Sequence, residues 1–136
     1  MSIELHQREA EGIVILDVEG RLVLGDGVSA LRDRFNNLGG ENKFILNLKD
    51  VPYIDSSGLG ALVTCHSVVE AAGGALRLLH LSKRNMELLV LTKLSTVFRI
   101  FDDEQEAVNS FFPDREIKRF DILDFVKSQE EGEKPV

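Results

Sequence analysis

A chain of 136 residues can build one compact domain with its own apolar core, and is too short for two ordinary ones. Apolar residues make up 43% and charged residues 29%, the usage of a globular fold, with no low-complexity tract or repeat. The formal charge of -7 disfavours nucleic acid, whose phosphates call for clustered Lys and Arg.

The N-terminal M-S-I-E-L-H-Q-R-E-A lacks the basic-then-apolar pattern of a secretion signal, and no run approaches the roughly 20 apolar residues of a bilayer span, so a cytoplasmic protein is expected. The single cysteine, Cys65, cannot form an internal disulfide, and no Cys or His pair has metal-ligand spacing, so neither a metal nor a cofactor is expected.

In chain order, residues 3–7 (I-E-L-H-Q) and 13–18 (I-V-I-L-D-V) read as strands joined by a hairpin turn at E-A-E-G. The glycine-punctuated loop G-R-L-V-L-G-D-G follows. Val28, Leu31, Phe35 and Leu38 then recur at helical spacing, with G-G as the stop. K-F-I-L-N-L, residues 43–48, suits a central strand buried on both faces.

From Leu59 the residues Leu62, Val63, His66 and Val69 form a helical stripe that ends at A-A-G-G, which places D-S-S-G at that helix's N-terminus. A-L-R-L-L-H (75–80) reads as a strand, N-M-E-L-L-V-L as a short helix, and T-V-F-R-I-F (96–101) as another strand. D-D-E-Q-E-A-V-N-S-F-F opens a last helix with a capping acid and further acids in its first turn. Strands that alternate with helices after an initial β-ribbon predict an α/β fold, a mixed β-sheet with helices packed on it.

The domain is expected to span 1–112. Within the C-terminal extension 113–136, Ile117, Phe120, Leu123 and Val126 fall at three-residue steps, as in a short amphipathic helix to about residue 127, and the polar remainder reads as disordered. That helix either packs back on the domain or meets a partner, a second copy included; a monomer or weak homodimer is expected.

The stretch Y-I-D-S-S-G-L-G (53–60) admits three readings. Asp and Ser are strong N-cap residues, so a cap accounts for one of them. A nucleophilic serine would want the G-x-S-x-G turn, but Ile54 stands two before Ser56. It would also want a base, yet Cys65 and His66 lie nine and ten residues further on, two to three turns away at roughly 1.5 Å per residue. No acid, base and nucleophile converge, and no enzyme is expected. Phosphorylation is the third reading: about -1.5 to -2 charges added beside Asp55 would change what docks there without unfolding the helix. Gly58 and Gly60 are small enough for a partner's backbone to approach.

V-P-Y-I-D-S-S-G-L-G-A-L-V resembles the phosphorylation-site signature of STAS-domain anti-sigma-factor antagonists. The resemblance extends over roughly residues 3–112, through F-I-L-N-L-K-D-V, G-G-A-L-R-L-L-H-L and L-T-K-L-S-T-V-F-R-I-F-D-D-E-Q-E-A. It implies a mixed sheet with helices on one side. It implies Ser56 as the phosphoacceptor, with Ser57 the lesser candidate, and a contact surface of Asp55, Ser56, Ser57, Gly58, Leu59 and Gly60. In the loop after the second strand many members carry a leucine–aspartate pair where this chain reads G-R-L-V-L-G-D-G, out of step with the family, and Asp26 is expected to take the corresponding partner-binding role.

The implied partners are an anti-sigma factor that is also a serine kinase of the histidine-kinase-like ATPase type, released when it phosphorylates the antagonist, and a PP2C-type phosphatase that resets the switch. The alternative to that reading is a STAS scaffold of the stressosome type, or a nucleotide-binding or scaffolding subunit of a lipid-transport complex, against which the absence of a P-loop or G-x-G-x-x-G weighs.

Overall fold

The structure, a computed structural model, describes residues 3–115. The amphipathic stretch expected over 113–127 therefore lies, beyond residue 115, outside the described residues, as does the polar tail.

β1 (Glu4–Ala10) and β2 (Ile13–Glu19) form an antiparallel hairpin in the register Ala10↔Ile13 to Glu4↔Glu19. The turn is tighter than E-A-E-G: only Glu11 and Gly12 make it, at φ 53° and 82°, the paired positive values that match the twist of the two strands. β3 (Lys43–Asp50), β4 (Ala75–Leu79) and β5 (Arg99–Phe101) add in parallel, giving the sheet order β1-β2-β3-β4-β5. The connections between parallel strands are α1 (Asp26–Asn36), α2 (Ser56–Ala71) and α3 (Lys83–Leu91).

The register aligns Val14, Phe44 and Leu76 in one row and Leu16, Leu46 and Leu78 in the next. These rows face Leu31 and Phe35 of α1, Leu62, Cys65 and Val69 of α2, and Met86 and Leu89 of α3. Each large side chain so buried is worth roughly 1.5–3 kcal/mol, so this layer holds the three main helices on one side of the sheet, as expected. The alternate residues Ile13, Ile15, Ile45, Leu79 and Phe101 point the other way and are covered by Ala107 and Val108 of α4 (Glu104–Asn109). This short fourth helix thus shields the opposite face, which β2 and β3 make too apolar to leave wet.

Several placements differ from the sequence reading, β1 running on to Ala10 and α3 starting at Lys83 among them. The strand expected over 96–101 is only β5: Leu94–Thr96 form one 3-10 turn, started by Lys93 at φ 63° and closed by Val97 N donating to Leu94 O at 3.0 Å. α1 begins two residues before Val28 and stops short of Leu38. On α2 the buried line is Leu59, Leu62, Cys65 and Val69; His66 sits at its edge, half-buried against the Phe98 ring at 5.3 Å.

Candidate functional site

Beyond the last regular pairs of β2 and β3 the two chains stay together. Gly20 N donates to Asp50 O (3.1 Å), Leu22 N to Tyr53 O (3.0 Å) and Asp55 N to Leu22 O (3.2 Å), with a parallel bridge between Leu22 and Ile54. The 20–26 loop and the 51–58 loop are therefore one stitched unit at the carboxyl end of the sheet. Two glycines permit it. A Cβ on Gly27 would lie 2.7 Å from the Arg21 carbonyl oxygen, and one on Gly58 would run into that of Leu22.

Asp55 completes the stitching. Its Oδ1 accepts from Gly58 N at 2.8 Å as the N-cap of α2, and its Oδ2 accepts from Leu24 N at 3.1 Å across the gap between loops. These amides, Gly58 first and Leu24 second, hold its carboxyl below the usual carboxylate range. The capping role in D-S-S-G thus belongs to Asp55. Ser56, the first residue of α2, is exposed, and among the described residues its hydroxyl has no hydrogen-bond partner; Ser57 is half-buried.

The expected contact residues differ in exposure. Gly58 and Leu59 are buried, Leu59 6% exposed at the base of the groove described below, and the smallness of Gly58 serves the chain's own Leu22 carbonyl. Gly60 is exposed with open space around it, and Asp26 is an exposed first residue of α1 at the same end of the sheet. The outward-facing set is therefore Asp26, Ser56 and Gly60, with Asp55 and Ser57 partly covered.

Ser56 also lines a groove of about 530 Å³ between α2 and α3, shared with Tyr53 and Leu59 on one wall and Arg84, Glu87 and Leu91 on the other. The Arg84 guanidinium lies 4.6 Å from the Tyr53 ring centre and that of Arg21 lies 5.1 Å from it. Leu24 and Leu91, 77% and 80% exposed, present bare apolar side chains from the stitched loop and the groove. From inside, Asn85, 1% exposed, donates its Nδ2 to Val51 O at 2.9 Å and so ties α3 to the loop that carries the motif; its Oδ1 is buried without a partner.

Sequence reasoning missed the α3 wall, because K-R-N-M-E-L-L-V-L reads as an ordinary amphipathic helix. Only the bare leucine at its end gives a signal.

None of the groove residues is a histidine or cysteine, and its acids are committed: Asp55 to two amides, Glu87 to Lys83 Nζ at 3.8 Å. Burial pushes the Cys65 thiol up to about 12. His66 and His80 face Glu70 (3.5 Å) and Asp102 (3.8 Å). His6 stands on β1 between Glu4 and Glu19, a cross-strand trio of exposed groups with ligand atoms within 4.8 Å of one another; spacing along the chain could not show this, because pairing assembles it.

The fold and site have relatives. A protein of Bacillus subtilis (strain 168) named anti-sigma-B factor antagonist is 32% identical over 103 residues, 74% of this chain and 92% of its own length. A crystal structure of a candidate anti-sigma factor antagonist from Thermotoga maritima superposes with a TM-score of 0.73 at 26% identity, covering 79% of this chain and 93% of that one. Unphosphorylated SpoIIAA shares the fold, with a TM-score of 0.59 at 22% identity over 80% of this chain and 96% of its own. The STAS domain matches residues 4–107, and the chain belongs to the STAS-domain family.

Proposed function

We propose that this chain is an anti-sigma-factor antagonist, a binding module that holds an anti-sigma factor while Ser56 is unmodified and releases it once Ser56 is phosphorylated. The observation that carries this reading is the division of labour in D-S-S-G. Asp55 does the capping, so Ser56 stands exposed, without structural duty, beside a carboxylate kept ionised by its amides.

The 32% identical relative named for the antagonist role supports the partner class. The partner in this reading is a serine kinase of the histidine-kinase-like ATPase type. It transfers the γ-phosphoryl of ATP to Ser56 Oγ: the new O–P bond forms as the β–γ bridge breaks, ADP leaves, and the hydroxyl proton passes to a base of the kinase. A PP2C-type phosphatase hydrolyses the phosphoester and restores binding.

Phosphorylation adds about -1.5 to -2 charges to a surface that already carries Asp55 and Asp26. Like charge buried at an interface costs several kcal/mol, and each 1.4 kcal/mol is a factor of about ten in affinity. SpoIIAA in its phosphorylated form shares the fold, with a TM-score of 0.62, which supports a scaffold that can carry a phosphate.

The deciding experiment takes the ATP-binding anti-sigma candidates encoded beside this protein's gene and measures binding of wild type, Ser56→Ala and Ser56→Asp. Wild type and Ser56→Ala bind, while Ser56→Asp loses tenfold or more. Equal binding by all three would sink the proposal.

A further inference from the structure

Two arginines lie against Tyr53, three residues before the phosphoacceptor, and neither has an anionic partner among the described residues. Arg84, in the first turn of α3, lines the same groove as Ser56, and Arg21 leaves the end of β2; each is positioned by the one aromatic ring of the motif, Tyr53, at 4.6 and 5.1 Å. Lys83, next to Arg84 on α3, faces Glu87 at 3.8 Å. In a chain of net charge -7, these two guanidinium groups are cations set against the Asp55 and Asp26 carboxylates of the same surface.

Resting on the reading of Ser56 as the modified residue, we propose that Arg84, held over Tyr53, is the internal cation that receives the phosphoryl group on Ser56, with Arg21 as a secondary contributor to the field. The guanidinium fork matches two phosphate oxygens, and stacking on Tyr53 has already removed part of the rotamer freedom that binding would cost. The groups that face the phosphate are then Asp55 at the start of α2, Arg84 and Glu87 on α3, and Arg21 after β2. Asp55 is held by its own amides and Glu87 by Lys83, which leaves the arginines as the available counter-charge.

The phosphate would be drawn across the mouth of the α2–α3 groove toward Arg84. Phosphorylation then does more than add charge: it closes the groove that ends at Leu91, and takes the guanidinium away from any acidic side chain of a partner.

Phosphoserine installed at position 56 by genetic encoding in the full chain, followed through its 31P shift against pH, tests this. Because no kinase is involved, the result is independent of whether cells phosphorylate Ser56, and failure of that reading would show separately as absence of the phosphopeptide from native protein. In the wild-type background the second phosphate ionisation is expected below the ordinary value of about 6. Arg84→Met, which keeps the stem and removes the charge, raises it by roughly half a unit or more, as loss of a nearby opposite charge requires. Arg84→Lys recovers part of the difference, and Arg21→Met moves it less than Arg84→Met. The helix N-terminal amides act equally in all of these proteins and cancel in the comparison. An ionisation that is the same in wild type and Arg84→Met, or one that responds to Arg21→Met alone, overturns the assignment.

Discussion

Asp55 and Ser56 are neighbours with opposite obligations. The acid is bound by amides of two loops, and the hydroxyl beside it is bound by nothing in the described chain. Sequence alone put three small polar residues at a helix start without telling which of them capped it, because Asp and Ser are near-equal as caps; only the geometry separates them. Gly58 was harder to read, since a close approach to the chain's own Leu22 carbonyl and a close approach to a partner ask for the same residue. Gly58→Ala is expected to destabilise the protein by about 1–3 kcal/mol, since the carbonyl it would meet is backbone and stitched on both sides. A denaturant midpoint unchanged from wild type would contradict this. Cys65, buried and with its thiol pushed up to about 12, should resist iodoacetamide at pH 8 in the native protein and react at once in denaturant. Rapid native labelling would show the α2–sheet interface to be open.

Among the elements, those with strong periodicity were legible: β2, β3, β4 and α2 stand within a few residues of where alternation and helical spacing put them. T-V-F-R-I-F was not, because branched and aromatic residues favour a strand while Lys93, in a left-handed conformation, starts a turn that uses the first of them. The α3 wall of the groove was also hidden, since what matters there is which helix lies beside α2. Asn85 fixes that neighbour. Replacing it by Ala deletes its hydrogen bond to Val51 O and its own orphaned Oδ1 together, so one unpaired group is exchanged for another, and the net cost should be about 1–2 kcal/mol, hydrogen bond plus cavity. Urea unfolding measures it. A loss above that range would mean that the orphaned oxygen has a partner, such as an ordered water.

At the scale of the molecule, the sheet is tied across its far face by charge. Arg8 of β1 donates to both oxygens of Asp17 on β2 (2.6 and 2.9 Å) and to Glu104 of α4 (2.7 and 3.2 Å), and Asn47 of β3 donates to Asp17 at 2.8 Å. Arg8 foremost, and Asn47 after it, lower the Asp17 carboxyl below its ordinary value; Arg115 does the same for Glu11. A depressed native pKa contributes stability that is complete above the unfolded value, about 4 for these carboxyls, and is lost as pH falls through the native one. Thermal melts should therefore be nearly flat from pH 7 to 5 and fall steeply below about 4. Arg8→Ala should be less stable at neutral pH and lose less on acidification. A parallel pH profile for the two proteins would remove the network from the account.

This charge network was not legible, since its members lie as far apart as residues 8 and 104, and only pairing and packing bring them together. The mixed sheet itself was, because a β-ribbon followed by alternating strands and helices admits few arrangements.

The order of that sheet follows the order of the chain, β1 to β5, so each new strand docks on the one made just before it. A nascent chain leaving the ribosome can thus widen its sheet one strand at a time, with no gap held open for a later segment. By the time β4 has emerged, the loop around Leu22 and the start of α2 have emerged as well. The residues of the Ser56 surface, up to Leu91 of α3, all precede β5 in the chain, while the charged tie from Arg8 to Glu104 can close only once α4 has followed it.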